Sequence, residues 1–181
     1  MAVVVTPTLL ARYDRYKQII QATEAGNPIL GQYPGLLAGV LATESGFQPG
    51  AIHADANGTE DVGIAQLNSA YYPTATAQDP TAAIQLAGSI LANNIASCGS
   101  VEGALYKYNS GSCSGVGADR SYPSRVFAWA EALAATPVSY APSHSVARSR
   151  NPSGLPKTSA AGLVLVGLGI ILLLIAAAKL H

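Results

Sequence analysis

One carboxyl group is a candidate for acid–base chemistry because it lies on the apolar side of a predicted helix. Leu37, Val40 and Leu41 form that side, and Glu44 follows the last two by four and three residues. Desolvation on an apolar face and the negative end of the helix dipole both raise the pKa of such a group. The pattern predicts a general acid, although a solvated glutamate at a helix end also fits the position alone.

Three more acidic residues follow in a polar segment, the run HADANGTED, and could supply a second carboxylate. They are Asp55, Glu60 and Asp61. An inverting glycoside hydrolase places its second carboxylate roughly 6.5–9.5 Å from the acid, where it activates water. Asp55 or Asp61 could take that role, but acids in a polar loop more often form a solvated surface. Hydrolysis of a glycosidic bond by two acidic groups is therefore one reaction that these residues could carry out.

Other reactive constellations are missing from the sequence. The three histidines, His53, His144 and His181, lie far apart along the chain and do not have the spacing of metal ligands. There is no phosphate-binding glycine loop and no Gly-x-Ser-x-Gly elbow. Basic and acidic residues number ten each, whereas a nucleic-acid-binding protein normally has a basic excess. We therefore expect no metal, no cofactor and no nucleic-acid partner.

The segments that would position Glu44 are predicted to be mainly helical. Apolar spacing with N-cap and stop residues predicts helices over residues 8–25, 34–45, 80–96, 101–108 and 122–135. The predicted N-caps of the last three are Asp79, Ser100 and Ser121. Residues 46–79 are rich in Gly, Asp, Asn and Pro, which predicts a loop with at most a small irregular sheet. The fold class is thus mainly α, in a globular domain of residues 1–135.

Three short motifs follow one another along this domain. The first is a helix-ending Glu-Ser pair followed by an aromatic residue and a proline, present as Glu44, Ser45, Phe47 and Pro49. The second is Gly63-Ile64-Ala65-Gln66, and the third is Tyr108-Asn109 with Gly111; Tyr122 begins the last helix. Their order and spacing over residues 30–135 resemble the soluble lytic transglycosylase family, which has a lysozyme-like α+β fold.

The resemblance implies an enzyme that cleaves the glycan strands of peptidoglycan, with Glu44 as the catalytic acid and base. It implies substrate-binding roles for Ser45, His53, Gln66, Tyr108, Asn109 and Tyr122. In this family one glutamate protonates the MurNAc-GlcNAc glycosidic oxygen and then takes a proton from the muramic acid 6-hydroxyl. The product is a 1,6-anhydro sugar, and no second carboxylate is needed.

The chain departs from the family pattern at two positions and in one loop. The family usually has methionine where Ala65 stands, and often has a serine where His53 stands. About four extra residues lengthen the loop that carries Asp55 and Asp61. These departures leave two alternatives: a lysozyme-type hydrolase on the same scaffold, or a non-enzymatic glycan-binding or structural membrane protein.

Two cysteines, Cys98 and Cys113, form an isolated pair. A disulfide between them would close a loop of about fifteen residues, worth roughly 3 kcal/mol. Two buried thiols are the alternative. Two thiols alone cannot complete a zinc site.

An apolar block near the C-terminus predicts a single-pass transmembrane helix. Residues 160–178 contain no charged residue and are bracketed by Lys157 and Lys179. Nineteen helical residues span roughly the 30 Å of a bilayer core. Residues 136–159 are rich in Pro and Ser and are predicted to be a flexible linker. We therefore expect a lipid membrane as a second partner.

The predicted location raises a conflict. The N-terminal residues lack the pattern of a secretory signal, and basic residues precede the apolar block, so the positive-inside rule keeps the globular domain cytoplasmic. Peptidoglycan is absent there. A protein in the virion membrane of a bacteriophage, exposed to the wall during genome entry or lysis, would resolve the conflict. Anchoring in a bacterial cell membrane is the alternative.

Overall fold

A computed structural model describes residues 3–136, which form six α-helices and a three-stranded sheet. The helices are α1 (Pro7–Ala25), α2 (Leu36–Ser45), α3 (Thr74–Gln78), α4 (Pro80–Cys98), α5 (Val101–Ser110) and α6 (Tyr122–Ala135). The strands β1 (Ile52–Ala54), β2 (Glu60–Val62) and β3 (Leu67–Asn68) form an antiparallel sheet in that order. The expectation of a mainly helical domain with a small sheet is confirmed.

Helix α2 lies at the centre of these residues, and its side chains enter both hydrophobic clusters. Leu37 and Leu41 belong to the cluster shared with α1, α4 and the sheet, whereas Val40 packs with α4, α5 and α6. Gly39 allows the close contact of α2 with α6, because a Cβ atom there would lie 2.4 Å from the carbonyl oxygen of Val126. The helix that carries Glu44 is therefore packed on several sides.

A buried carboxylate fixes the start of α2. Glu24, near the end of α1, is 6% exposed, and its carboxylate accepts hydrogen bonds from the backbone of Gly35 at 3.0 Å and Leu37 at 2.9 Å. These backbone N–H groups lie at the start of α2, where a helix offers them no carbonyl oxygen as a partner. The predicted start at residue 34 was two residues early, because Gly35 takes a left-handed conformation with φ +87° before the helix begins.

Two of the three predicted N-caps have the expected hydrogen bonds. Asp79 accepts from the backbone of the first turn of α4 at 2.8 and 2.9 Å, and Ser100 accepts from Gly103 at 3.1 Å. Ser121 is the N-cap residue of α6 by position, as predicted, but its side chain makes no capping hydrogen bond. Instead its hydroxyl donates to Asp119 at 2.8 Å. The short helix α3 was also missed, because five residues are too few to show a helical period.

The predicted linker and membrane segment lie almost wholly outside the described residues. Within residues 3–136, no helix has the length and apolar character needed to cross a bilayer. The apolar block at residues 160–178 lies beyond that range, as do residues 137–159 of the linker. Both segments therefore stay predictions.

Candidate active site

Glu44 lies in the last turn of α2, at a position that the following residues fix. The chain reverses through Gly46 and Phe47, whose φ angles are +59° and +60°. Phe47 is fully buried, and its ring packs against Tyr13 with centroids 5.3 Å apart. A non-glycine residue in the left-handed region is uncommon. The buried ring holds this strained turn in place and thereby sets the direction in which α2 ends.

A tyrosine from the last helix meets the Glu44 carboxyl group. Tyr122, the first residue of α6, is 1% exposed, and its hydroxyl donates a hydrogen bond to Oε1 of Glu44. The two residues are 78 positions apart in sequence, and the close packing of α2 on α6 brings them together. Within residues 3–136, the other carboxyl oxygen, Oε2, accepts no hydrogen bond.

The environment of Glu44 raises its pKa to about 7 from an ordinary 4.5. Burial is the largest cause, since a half-buried carboxylate has lost much of its hydration. The Tyr122 hydrogen bond lowers the pKa, the Asp61 carboxylate raises it, and the Arg125 cation lowers it. A carboxyl group with a pKa near neutrality can both donate and accept a proton under physiological conditions.

The sheet contributes a row of polar side chains beside this carboxyl group. His53, Asp61 and Asn68 face one another across the three strands. The amide nitrogen of Asn68 donates to Asp61 at 2.9 Å and to Asp55 at 2.9 Å, and so joins two carboxylates. Burial raises the pKa of Asp61, while the Asn68 hydrogen bond and the nearby His53 lower it. His53 itself is exposed on β1.

Gln66 holds the turn between β2 and β3. Its amide nitrogen donates to the carbonyl oxygens of Gly63 at 2.9 Å and Ala51 at 3.3 Å, and its own φ is +47°. Gly63 is required in this turn, because a Cβ atom there would lie 2.0 Å from the carbonyl oxygen of Ala77. Within residues 3–136 the Gln66 side-chain oxygen accepts no hydrogen bond.

The hydroxyl of Tyr108 makes a hydrogen bond within the protein. It donates to the backbone carbonyl of Ala65 at 3.0 Å, and the ring packs against both hydrophobic clusters. Burial, followed by the charge of Glu44, raises the pKa of this hydroxyl well above its ordinary value. Tyr108 therefore lies near Glu44, but the hydroxyl bonded to the carboxyl group is that of Tyr122.

Two predicted substrate-binding residues, Ser45 and Asn109, make hydrogen bonds within the protein. Ser45 is buried, donates to the Ile64 carbonyl at 2.7 Å and accepts from the Gln48 backbone at 3.1 Å. The side-chain oxygen of Asn109 accepts from the backbone of Asp119 at 3.0 Å. Ser45 thus fixes α2 to the segment that leads into β3, and its predicted substrate contact stays a prediction. Asn109 is exposed and keeps its amide nitrogen for other contacts.

The comparison with known families decides the class of this site. The family described as Transglycosylase SLT domain matches residues 19–123, more than half of the chain. The chain belongs to this family. No significant match was found among curated proteins or among solved structures. The protein is therefore a peptidoglycan lytic transglycosylase, an enzyme that cleaves glycosidic bonds, and peptidoglycan glycan strands are its partner.

In the transglycosylase, Tyr122 is hydrogen-bonded to Glu44, and Tyr108 lies close enough to Glu44 for the carboxylate charge to raise its pKa. The Tyr108 hydroxyl bonds to the backbone of Ala65, the residue before Gln66. His53 lies on β1, opposite Asp61 of β2. Among residues 3–136, no group of three or more His, Cys, Asp or Glu side chains could hold a metal ion.

Sequence reasoning missed the role of three polar residues near the transglycosylase site. Asn68 bridges two carboxylates, and Asp119 pairs with Arg125 at the start of α6. The pair could have been predicted, because the oppositely charged residues Asp119 and Arg125 flank the predicted start of the last helix. For Asn68 there was none, because its partners are chosen by the register of the sheet.

The two cysteines are joined in a disulfide. Cys98 is the last residue of α4, and Cys113 lies in the loop between α5 and α6. The disulfide links this loop to the end of α4 at Cys113, which is nine residues before Tyr122. Disulfides persist in oxidising environments and are rare in cytosolic proteins.

Proposed function

We propose that Glu44 is the catalytic acid and base of this transglycosylase and that the product is a 1,6-anhydro-muramic acid sugar. The main support for this role is that the Glu44 carboxyl group is half-buried, has a pKa of about 7 and accepts a hydrogen bond from Tyr122. A glycosidic oxygen is a poor leaving group unless it is protonated. A carboxyl group that is partly protonated near neutral pH can supply that proton.

Proton transfer can be completed by the same carboxyl group. Glu44 gives its proton to the glycosidic oxygen as the bond to the anomeric carbon of MurNAc breaks. The resulting carboxylate takes the proton of the muramic acid 6-hydroxyl, whose oxygen bonds to that anomeric carbon. Glu44 ends the cycle protonated, water is not consumed, and the protein needs no second acidic group.

The residues around Glu44 have separate roles in this proposal. The side-chain oxygen of Gln66 accepts a hydrogen bond from the sugar, and the half-buried ring of Tyr108 forms part of the cleft wall. His53 and the amide nitrogen of Asn109, both exposed, contact more distant parts of the glycan. Tyr122 holds Glu44 rather than the sugar, because its hydroxyl is already bonded to the carboxyl group.

Hydrolysis is the second candidate reaction, and one observation favours it. Asp61 lies close enough to Glu44 for its charge to raise the pKa of the acid. Its own pKa is raised by burial, and one of its oxygens accepts from Asn68. A carboxylate there could activate water for inverting hydrolysis, which would release a reducing sugar.

We propose further that residues 160–178 anchor the enzyme in a membrane and that this membrane belongs to a bacteriophage virion. The apolar, uncharged block supports the anchor. The Cys98–Cys113 disulfide supports a domain that works outside the reducing cytoplasm. Peptidoglycan is also found outside the cytoplasm. A bacterial cell membrane is the alternative. Detection of the protein in the lipid fraction of purified virions supports the phage location, and its absence there refutes it.

Product analysis tests the reaction. Full-length protein is incubated with purified peptidoglycan in water enriched in oxygen-18, and the released sugars are identified by mass spectrometry. Anhydro products without the heavy isotope are expected from the wild-type protein and from the Asp61→Asn variant. Reducing sugars that carry oxygen-18, and their loss in Asp61→Asn, would instead establish hydrolysis.

A further inference from the structure

An ionic pair joins the loop before α6 to the first turns of that helix. Nη1 of Arg125 donates to the Asp119 carboxylate and, at 2.7 Å, to the hydroxyl of Ser121. The other carboxylate oxygen of Asp119 accepts from the backbone of Ser121 at 2.8 Å. These hydrogen bonds fix the guanidinium group against the turn from which Tyr122 starts.

Asp119 also connects the end of α5 with the start of α6. Its backbone N–H donates to the side-chain oxygen of Asn109 at 3.0 Å, and its carbonyl oxygen accepts from the backbone of Tyr122 at 2.9 Å. A chain of polar contacts therefore runs from Asn109 through Asp119 to Arg125. Asn109 follows Tyr108 in sequence, and Asp119 and Arg125 both contact Tyr122.

The guanidinium group at the end of this chain lies beside the Tyr122–Glu44 pair. Its central carbon is 5.8 Å from the centre of the Tyr122 ring, within the range of a cation–π contact. Arg125 is three residues after Tyr122 on α6, so the two side chains share one helix face. The side chain of Arg125 is 34% exposed, and the cation remains partly hydrated.

We propose that Arg125, held by Asp119 and Asn109, is a positioning residue that fixes Tyr122 against Glu44 and stabilises the carboxylate formed when Glu44 donates its proton. The proposal rests on Glu44 being the acid. It gives Arg125 no contact with the substrate. Because preoriented charges need no rearrangement as the reaction proceeds, a fixed cation stabilises the anionic state more than a flexible one.

Three groups from two elements shift the pKa of Glu44: Asp61 from β2, and Tyr122 and Arg125 from α6. Tyr108, from α5, also lies near Glu44, whose charge raises the pKa of the Tyr108 hydroxyl. Arg125 opposes Asp61, because the cation lowers the pKa of Glu44 and the anion raises it. Loss of the cation therefore leaves a weaker acid, whose protonated form persists to higher pH.

The test compares Arg125→Gln with Arg125→Lys and a matched control, Arg120→Gln. Arg120 also lies over a tyrosine ring, that of Tyr106 at 5.5 Å, and also bonds within the α5–α6 loop, but it does not affect the pKa of Glu44. The full-length variants are assayed for kcat, KM and pH dependence on soluble peptidoglycan fragments. Thermal unfolding is recorded alongside.

Arg125→Gln is expected to lower kcat about tenfold, with KM within about twofold, and to shift the alkaline limb of kcat to higher pH. Arg120→Gln should leave kcat and the limb in place. Arg125→Lys keeps the charge, so the limb should stay while kcat falls about threefold, because an ammonium cannot reproduce the guanidinium geometry.

The proposal is overturned if Arg125→Gln is folded and matches Arg120→Gln in kcat and in pH dependence. If Arg125→Gln fails to fold, Arg125→Lys decides, and an unchanged kcat in that variant overturns the positioning role. Glu44→Gln is assayed in the same series. Activity in Glu44→Gln would refute the assignment of the acid, whereas an inactive Glu44→Gln beside an unaltered Arg125→Gln would refute only the role of Arg125.

Discussion

The raised pKa of Glu44 must be visible in the pH dependence of stability, without any substrate. A carboxyl group whose pKa is higher in the folded than in the unfolded protein binds its proton more tightly when folded. Its contribution to stability is fully present below pH 4.5 and is lost as the pH rises through about 7. Glu44→Gln keeps the shape of the side chain and removes this titration.

The size of the effect follows from the two pKa values. A rise from 4.5 to about 7 makes the free energy of unfolding fall by about 2.5 kcal/mol between pH 5 and pH 8, at about 1.36 kcal/mol per pKa unit. Glu24 and Asp61 also have raised pKa values, so they lower stability over part of the same range. Both remain in Glu44→Gln. The difference between the two proteins therefore isolates the Glu44 contribution.

The assay is denaturant unfolding of wild type and Glu44→Gln at half-unit intervals from pH 5 to pH 8. We expect Glu44→Gln to become progressively more stable than wild type above pH 5, by about 2 kcal/mol or more at pH 8. An exposed glutamate, Glu131, provides the control, and Glu131→Gln should follow the wild-type curve. A constant difference between Glu44→Gln and wild type across this range would refute the reasoning that burial raises the pKa.

Three further predictions concern the residues that hold the site. Tyr122→Phe removes a hydrogen bond that lowers the pKa of Glu44, so the alkaline limb of the pH–rate profile should move to higher pH and activity should fall roughly tenfold; an unmoved limb contradicts this. Replacement of Cys98 and Cys113 by serine should cost roughly 3 kcal/mol of unfolding free energy, measured with denaturant; equal stability of both forms would show that the bridge does not form. Glu24→Gln should cost about 1–3 kcal/mol, because an amide cannot accept both backbone hydrogen bonds at the start of α2; unchanged stability would remove Glu24 as the cap.

Much of the fold was readable from local patterns. The capping residues Asp79 and Ser100 and the proline at the start of α4 set helix boundaries through contacts within a few residues. The site was readable in part for the same reason, since Glu44 shares a helix face with apolar residues, and that face determines its burial. Such features depend on neighbours in sequence.

The remaining features depend on contacts between distant segments. The Tyr122–Glu44 hydrogen bond joins residues 78 positions apart, and the buried Glu24 caps a helix 11 to 13 residues away. The hydroxyl of Ser45 donates to the carbonyl oxygen of Ile64, 19 residues away. Motif spacing placed the residues near the site but did not reveal which polar atoms were already used within the protein.

The most direct test of the account is the activity of Glu44→Gln on purified peptidoglycan, measured as released soluble sugar and compared with Glu131→Gln. We expect Glu44→Gln to lose activity by at least about 100-fold while unfolding as cooperatively as the wild-type protein, and Glu131→Gln to keep full activity. Release of sugars by folded Glu44→Gln at the wild-type rate would contradict the central claim that this carboxyl group supplies the proton.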